Sequence, residues 1–252
     1  MDSNQFQQDI LLNLERWNKK PLLRKIYRDF HRVIALQLSG LEAPKVVELG
    51  SGIGNIKEII PDCLRTDLFP NPWIDQQENA YALSFADGTV SDLILFDVFH
   101  HLRYPGTALR EFERVLRPGG RVLIFDPNIS LLGLLVFGAL HVEPIGWREY
   151  IDWYAPKDWS AQNSDYYAAQ GNATRIFFGR LDKALLKSWT VVSRQRFAAI
   201  SYVASGGYSG PQLYPERAYG FMRGVDRFFD QIPPLFATRM LVVLEKKSNQ
   251  SV

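Results

Sequence analysis

The stretch VVELGSGIGN, residues 46–55, constrains the fold more than any other part of the chain. Its run of apolar and β-branched residues is typical of a strand buried on both faces, and glycines at 50, 52 and 54 stop that run. Glycines directly after a strand allow the backbone to approach a ligand closely. The stretch therefore predicts a buried strand followed by a ligand-binding loop.

The spacing of these glycines argues against the two common phosphate-binding loops. A dinucleotide-binding loop has its third glycine five residues after the first, a position that Asn55 occupies here. A Walker loop needs Gly-Lys-Ser/Thr, which follows none of the three glycines. Glu48, two residues before Gly50, would repel a pyrophosphate and attract a cation.

Strands alternate with helices along the rest of the chain. Further strands are predicted from apolar or β-prone runs at 63–67, 92–97, 121–126, 190–200 and 239–247. The stretch 106–117 has helical spacing and ends at Pro118-Gly119-Gly120. Two amphipathic helices are predicted before the first strand, over 6–17 and 22–38. This alternation indicates a parallel sheet covered by helices.

Several predicted strands end in an acidic residue. Ligands of open α/β sheets bind at the carboxyl ends of the strands, so these side chains are expected to line one edge. The residues concerned are Glu48, Asp67, Asp97 and Asp126. Together with the glycine loop, they predict an acidic ligand site at that edge.

Composition narrows the classes of protein that remain. The 252 residues suffice for one sizeable α/β domain, and the net charge of +2 includes no basic block of the kind that binds nucleic acid. The single Cys63 supports neither a disulfide framework nor a zinc site, and the N-terminus does not resemble a signal peptide, so a cytoplasmic location is expected. The apolar run 129–142 is shorter than the about 20 residues of a membrane-spanning helix.

Three stretches beyond the glycine loop carry a resemblance to a known family. They are Asp67 at the end of the second strand, ENAYALSFADGTVSDLILFDVFHHL at 78–102 and EFERVLRPGGRVLIFDP at 111–127. With VVELGSGIGN, they resemble the class I S-adenosylmethionine-dependent methyltransferases, and among these the small-molecule group called type 11. The resemblance covers roughly residues 45–127, with Ser84 at a position where the family usually has proline.

The resemblance implies a Rossmann-like α/β fold with a mostly parallel seven-stranded sheet and an antiparallel last strand. Residues 1–40 are expected to form an N-terminal helical cap and residues 41–252 the methyltransferase domain. Substrate-side insertions are expected at about 128–180 and 201–236, because the first is rich in aromatic residues and both are irregular. The helix between the second and third strands is expected to be shortened or lost, since only about a dozen residues with two prolines separate Asp67 from Asn79.

The resemblance also implies S-adenosylmethionine as cofactor, with roles for individual residues. The backbone at Gly50 and Gly52, with Ser51 between them, would approach the methionine part, and Glu48 would orient its ammonium group directly or through water. Asp67 would accept hydrogen bonds from both ribose hydroxyls. Leu68, Asn79 and Ala80 occupy the positions that contact adenine in the family. Asp97 and Val98 would flank the methionine ammonium group through their backbone carbonyls. No metal site is expected.

Four residues are candidates for catalysis. His100 and His101 follow the fourth strand and could act as a general base, although packing or capping is the alternative for at least one of them. His141 and Glu143 form a second possible acid–base pair in the aromatic insertion, or else hydrogen-bond that insertion to the sheet.

The expected function is methyl transfer from S-adenosylmethionine to a small molecule, with O-, N- and C-methylation all open. The acceptor is expected to be aromatic, sugar-like or lipophilic, without nucleic acid as partner and without a membrane span, and the oligomeric state stays open. One alternative is a non-catalytic binding protein that keeps the cofactor fold. The other is a nucleic-acid methyltransferase, which is disfavoured because Asp97-Val98-Phe99-His100 replaces the Asn/Asp-Pro-Pro-aromatic turn of enzymes that methylate DNA amino groups.

Overall fold

The computed structural model of the protein describes residues 3–139, 145–146, 149–163, 167–179 and 186–248. Its strands are β1 Val46–Leu49, β2 Leu64–Asp67, β3 Gln76–Gln77, β4 Val90–Phe96, β5 Leu116–Pro127, β6 Trp189–Phe197 and β7 Arg239–Lys246. Its helices are α1 Ser3–Lys19, α2 Pro21–Ala35, α3 Pro105–Val115, α4 Leu131–Ala139, α5 Asn172–Phe178, α6 Ile200–Ala204, α7 Tyr219–Phe229 and α8 Pro233–Phe236. Single 3₁₀ turns include Asn55–Glu58 and Phe99–His101.

The seven strands form one sheet in the order β3-β2-β1-β4-β5-β7-β6. Strands β1 to β5 pair in parallel, whereas β7 runs antiparallel to both β5 and β6. The predicted fold class, a mostly parallel sheet with an antiparallel last strand, is confirmed. The strand order reverses beside β1, so the carboxyl ends of β1 and β4 flank the crevice where such sheets bind ligands.

Helices cover both faces of the sheet because the central strands are apolar on both sides. On one face, Phe112 of α3 and Phe177 of α5 pack with Val47 and Leu93. On the other face, α2 contributes Leu23, Tyr27 and Ile34, which are buried with Val46, Ile94 and Phe125. Only the 3₁₀ turn Asn55–Glu58 interrupts the loop between β1 and β2, so α2 provides most of the cover there.

The structure agrees with the prediction for the segment between β2 and β3 and differs from the predicted start of β5. No helix forms between β2 and β3, as expected, because Pro70 and Pro72 lack the N–H groups that a helix needs. Strand β5, predicted from 121, begins at Leu116, since Leu116 already pairs with Val90 across a register shift. Residues Pro118-Gly119-Gly120 therefore lie inside β5, and Gly119 takes a left-handed backbone conformation with φ of 75°. Within the described residues, no helix is long and apolar enough to cross a membrane.

Candidate functional site

A cavity of about 760 Å³ lies at the carboxyl ends of β1, β2 and β4. The glycine loop and the segments after β2, β3 and β4 form one side, and α1 lies across the opening. Most of the predicted cofactor contacts line this cavity: Gly50, Gly52, Asp67, Leu68, Asn79, Ala80, Asp97 and Val98. The structure therefore brings together residues that are 48 positions apart in the sequence.

Gly50 makes the close packing of two loops possible. Its backbone is left-handed, with φ of 71°, and a Cβ placed there would overlap Cγ2 of Val98. Gly54 is also left-handed, and a Cβ there would come within 2.6 Å of the Trp73 carbonyl oxygen. Any side chain at these positions would push the loop away from its neighbours, so glycine is required by shape as well as by backbone conformation.

Asp67 ends β2 and faces the cavity from a buried position. Its Oδ2 accepts a hydrogen bond of 3.0 Å from the Gly52 amide, which ties the carboxylate to the glycine loop. Burial raises the pKa of Asp67, and the amide donors of Gly52, Leu68 and Phe69 oppose that shift. A carboxylate has about four acceptor positions, so Asp67 can still accept from a ligand with hydroxyl groups.

Glu48 and Ser51, which were also predicted to bind the cofactor, do not line the cavity. Side chains alternate along β1, and Glu48 shares its face with Val46, which packs on the α2 side of the sheet. Ser51 turns inward, where its hydroxyl donates to the Glu48 carbonyl and accepts from the Thr66 amide at 3.1 Å. Burial raises the pKa of Glu48 to about 7, and its Oε2 has no hydrogen-bond partner among the described residues.

Asp97 joins the cavity to the last strand of the sheet. Its backbone is left-handed, with φ of 55°, which is uncommon for a residue with a side chain. Its carboxylate forms an ion pair with Arg239, the first residue of β7, whose side chain is buried. This ion pair occupies the Asp97 side chain. A contact between Asp97 and a ligand would therefore use its backbone, which is the contact that was predicted.

Asn79 and Ala80, which were predicted to contact adenine, lie in a hydrogen-bonded turn after β3. The Asn79 amide group donates to the Ala161 carbonyl at 3.0 Å, and its oxygen accepts from the Tyr81 amide at 3.0 Å. One lone pair on that oxygen remains available, so the side chain holds the turn and can still accept from a ligand. Ser84, the departure from the family pattern, hydrogen-bonds to the buried Glu78 through its backbone amide and its hydroxyl.

The two neighbouring histidines lie in different environments. His101 lines the cavity, and its Nδ1 lies 2.8 Å from the Tyr167 carbonyl oxygen. Since a carbonyl only accepts, Nδ1 carries the hydrogen and Nε2 is the basic nitrogen of the neutral ring. His100 does not line the cavity; it is buried, with Nδ1 3.0 Å from Asp126 Oδ1. His141 and Glu143 lie outside the described residues.

Two groups of cavity residues were not predicted from the sequence. The first comes from α1, where Ile10 approaches Gly52 and the Phe6 ring lies 5.0 Å from the Phe69 ring. The second is an aromatic wall of Tyr81, Tyr104 and Trp159. The Trp159 ring meets the two tyrosine rings edge-on at 4.9 and 5.1 Å, and the Tyr81 hydroxyl accepts from the Tyr104 amide. The aromatic composition of 128–180 was the only sequence signal for this wall.

The charge of the cavity suits a cationic ligand. Its lining contains the carboxylates of Asp9, Asp67, Glu78 and Asp97. The lining includes Arg103 and His101 as its basic residues. An excess of carboxylates favours a sulfonium and an ammonium group and opposes phosphates.

Comparisons with known proteins agree with this geometry. Residues 47–124 match the family model described as a methyltransferase domain. One similar solved structure is a chain of the Haloferax volcanii complex between the Trm112 methyltransferase activator and a protein described as a methyltransferase. It is 15% identical, 100% of each chain is covered and the TM-score is 0.57. Another is an S-adenosylmethionine-dependent methyltransferase from Archaeoglobus fulgidus, at 13% identity, covering 89% of this chain and 94% of that one, with a TM-score of 0.50.

A third similar structure is a geranyl diphosphate methyltransferase in complex with S-adenosylmethionine. It is 11% identical, covers 87% of this chain and 85% of its own, and has a TM-score of 0.50. None of the curated proteins matches this sequence. At these identities the structural likeness establishes the fold, and the match over residues 47–124 to a methyltransferase domain supports a methyltransferase enzyme. S-adenosylmethionine is accordingly its cofactor.

The residues at the site fit this cofactor. Gly50 packs directly against Val98, and both Gly50 and Gly52 line the cavity without a side chain that would fill it. Asp67 presents a carboxylate to the same cavity, and Glu48 adds a buried oxygen without a partner just behind the loop. A sulfonium compound with an ammonium group and ribose hydroxyls matches this set of acceptors.

Proposed function

We propose that this methyltransferase acts on a small-molecule acceptor that enters the cavity between the glycine loop and the aromatic wall. The observation that carries the proposal is the acid-lined cavity of about 760 Å³. Small-molecule and cofactor sites occupy roughly 300–1,000 Å³, so this volume suits a cofactor with a small acceptor beside it. Nucleic acid is a poor fit because the carboxylates in the lining would repel its phosphates.

Individual residues would divide the binding of the cofactor among them. Gly50 and Gly52 would hold the methionine part, and Asp67 would accept from the ribose hydroxyls. Leu68, Asn79 and Ala80 would enclose the adenine, and the backbone of Asp97 and Val98 would accept from the ammonium group. Glu48 would act from behind the loop by its charge, since its side chain does not reach the lining. When bound, S-adenosylmethionine supplies a methyl group on a positively charged sulfur.

The protein's own task is then to align the acceptor and to exclude water. The Trp159, Tyr81 and Tyr104 rings offer apolar faces for stacking against a planar or sugar-like molecule. Residues 1–40 would act as the cap expected from the sequence, since Phe6, Ile10 and other α1 residues close the opening over the glycine loop. The acceptor proposed here is therefore a compact molecule with an apolar or planar part.

A hydroxyl acceptor needs a base, and His101 is the best placed residue. Its Nδ1–H donates to the Tyr167 carbonyl, which leaves Nε2 able to take a proton from a hydroxyl. His100 would hold the His101 ring in position, because the two rings pack with centroids 4.1 Å apart and Asp126 fixes His100. His100 is therefore proposed as a positioning residue.

Calorimetry tests the cofactor part of this proposal. Wild-type protein should bind S-adenosylmethionine and its demethylated product. Asp67→Asn should lower the affinity by about 10- to 150-fold, because losing a charged hydrogen-bond acceptor costs about 1.5–3 kcal/mol. The asparagine can still accept from the Gly52 amide, so the loop is kept. Asp62→Asn, at an exposed position, is the matched control and should leave the affinity unchanged.

Transfer of a labelled methyl group tests the acceptor class. Protein incubated with methyl-labelled cofactor and a metabolite extract should label a small molecule. Label that entered only RNA, DNA or protein would contradict the small-molecule proposal. Cofactor binding without label in any fraction would instead support the non-catalytic alternative.

A further inference from the structure

The outer side of α7 carries large apolar side chains that point away from the core. Phe221 and Phe228 are 76% and 68% exposed, and they are seven positions apart, so they lie on one line of the helix. The inner side of α7 is fully used for packing: Tyr219 and Arg223 bind Asp29 of α2, and Asp226 accepts from Ser201. The two phenylalanines therefore contribute little to holding the helix in place.

This apolar side continues across two further helices. The Phe229 and Phe236 rings, 4.3 Å apart, join α7 to α8, and α8 packs against α4. Helix α4, LLGLLVFGA, contains no charged residue. We call the exposed side chains of the three helices the apolar surface: Leu131, Leu134, Leu135, Phe221, Phe228, Ile232 and Leu235. Solitary exposed apolar residues are ordinary, but a group of this size marks an interaction site.

A basic groove runs along α2 and reaches Glu216, shortly before α7. It has a volume of about 380 Å³ and is lined by Pro21, Arg24, Lys25, Arg28, Arg32 and Glu216. Helix α2 presents Arg24, Arg28 and Arg32 four residues apart, on one side of the helix. The groove adjoins α7, because Lys25 lies over the Tyr219 ring and Asp29 binds Arg223.

Acidic side chains near this surface are turned inward or paired. Asp226 and Asp230 of α7 accept hydrogen bonds from Ser201 and Ala198, and Glu58 is paired with Arg28. Arg227 of α7 is exposed, on the outer half of the helix. Arg28 and Arg32 are paired with Glu58 and Asp29, and Glu216 also lines the groove. The cations that the groove offers to a ligand are therefore Arg24 and Lys25, with Arg227 on α7 beside them.

We propose that the apolar surface and the basic groove dock this enzyme on an anionic phospholipid bilayer. Leucine and phenylalanine side chains would enter the boundary between headgroups and acyl chains, and the groove would contact lipid phosphates. Helix α4 has nine residues, which suits lying in the interface but not spanning the bilayer. A two-fold dimer through the same surface would bring two basic grooves to the rim of one interface, where like charges repel.

Vesicle flotation tests the docking. Wild-type protein should float with vesicles of phosphatidylcholine and phosphatidylglycerol, and at least tenfold less with phosphatidylcholine alone. Phe221→Ser with Phe228→Ser should lower binding at least tenfold at every salt concentration. Arg24→Gln with Lys25→Gln should lower it about tenfold at low salt and flatten the salt dependence. Leu36→Ser, an 81% exposed leucine outside the surface, is the matched control and should bind like wild type.

Two outcomes would overturn the proposal. One is wild-type protein that floats with neither vesicle. The other is concentration-dependent association in sedimentation that the phenylalanine variants abolish, since the surface would then join two copies of the chain. The docking goes beyond the proposed function, and calorimetry with S-adenosylmethionine on the same variants should give wild-type affinity, which also shows that they are folded.

Discussion

The two ends of the cavity are built in different ways. At the cofactor end, Gly50, Asp67 and Val98 come from the ends of neighbouring strands and hold one another through backbone amides and close packing. At the acceptor end, Trp159 meets Tyr81 and Tyr104 through ring contacts between distant segments. The first end depends on backbone shape, which tolerates few substitutions, whereas the second depends on side chains that can change without disturbing the sheet.

The largest expected effect is a loss of turnover when His101 is substituted. It should change methyl transfer and leave cofactor binding intact, which distinguishes the two ends. His101→Gln removes the basic nitrogen from the cavity and should lower turnover of a hydroxyl acceptor by about 10²–10⁴-fold. Single-turnover methyl transfer measures this, and calorimetry should show cofactor affinity within twofold of wild type. Turnover within threefold of wild type would place the base elsewhere, and His141 and Glu143 would be the next residues to test.

Gly50→Ala should weaken cofactor binding by distorting the glycine loop, since the substitution removes no polar group. Overpacking against Val98 costs about 1–3 kcal/mol and the left-handed backbone about 1–2 kcal/mol, so both unfolding free energy and cofactor affinity should fall. Adding Val98→Ala should recover the overpacking part only. Gly88→Ala is the control, because Gly88 has φ of 61° with open space around it and should show the backbone part alone. Equal losses for Gly50→Ala and Gly88→Ala would exclude the contact with Val98.

Glu48→Gln should make the protein more stable at alkaline pH. Burial raises the pKa of Glu48 from 4.5 to about 7, so the folded state keeps its proton longer and unfolding free energy falls between these pH values, by about 3 kcal/mol. Burial lowers the pKa of His31 from 6.5 to about 4, so its contribution is lost as pH falls through that window. The melting temperature should therefore change little between pH 4 and 8 for wild type, and it should rise with pH for the variant. If the stability of wild type and variant changed with pH in the same way, Glu48 would not have the raised pKa that its burial implies.

The smallest effect is expected from Trp159→Ala. The variant loses one aromatic face against which the acceptor would stack, a contact of about 0.5–1.5 kcal/mol, so the acceptor KM should rise by about two- to tenfold and cofactor affinity should stay nearly unchanged. Initial rates at saturating cofactor provide the measurement. A comparable loss of cofactor affinity would show that the aromatic wall and the adenine turn act as one unit, since Asn79 already binds the Ala161 carbonyl.

The strands and the glycine loop around the proposed cofactor end could be predicted from the sequence because their signals are local. Strand runs, glycines and terminal carboxylates lie within a few residues of each other, and the topology brings the strand ends together. Because side chains alternate along β1, the side chain of Glu48 must lie on the opposite face from those of Val47 and Leu49. The sequence does not indicate which of the two faces meets the ligand. Leu116 was missed as the start of β5 because Pro118-Gly119-Gly120 is usually a stop signal, and only pairing with β4 carries the strand through it.

The acceptor end could not be predicted because its contacts are long-range. Phe6 and Ile10 fit an amphipathic helix equally well wherever it docks, so their spacing does not place α1 over the glycine loop. Trp159 lies 78 positions after Tyr81, and nothing in either local sequence requires their contact. The domain boundaries and the individual site roles likewise stay predictions until the variants are measured.

The ion pair between Asp97 and Arg239 has a consequence for synthesis of the protein. Strand β7 enters the sheet between β5 and β6, although it is the last strand in the sequence. Domains fold as their chains emerge from the ribosome, and pairings between distant segments form late. The loop after β4 therefore gains its anchor only when Arg239 has emerged, so a growing chain should acquire cofactor after that point and not when the glycine loop first appears.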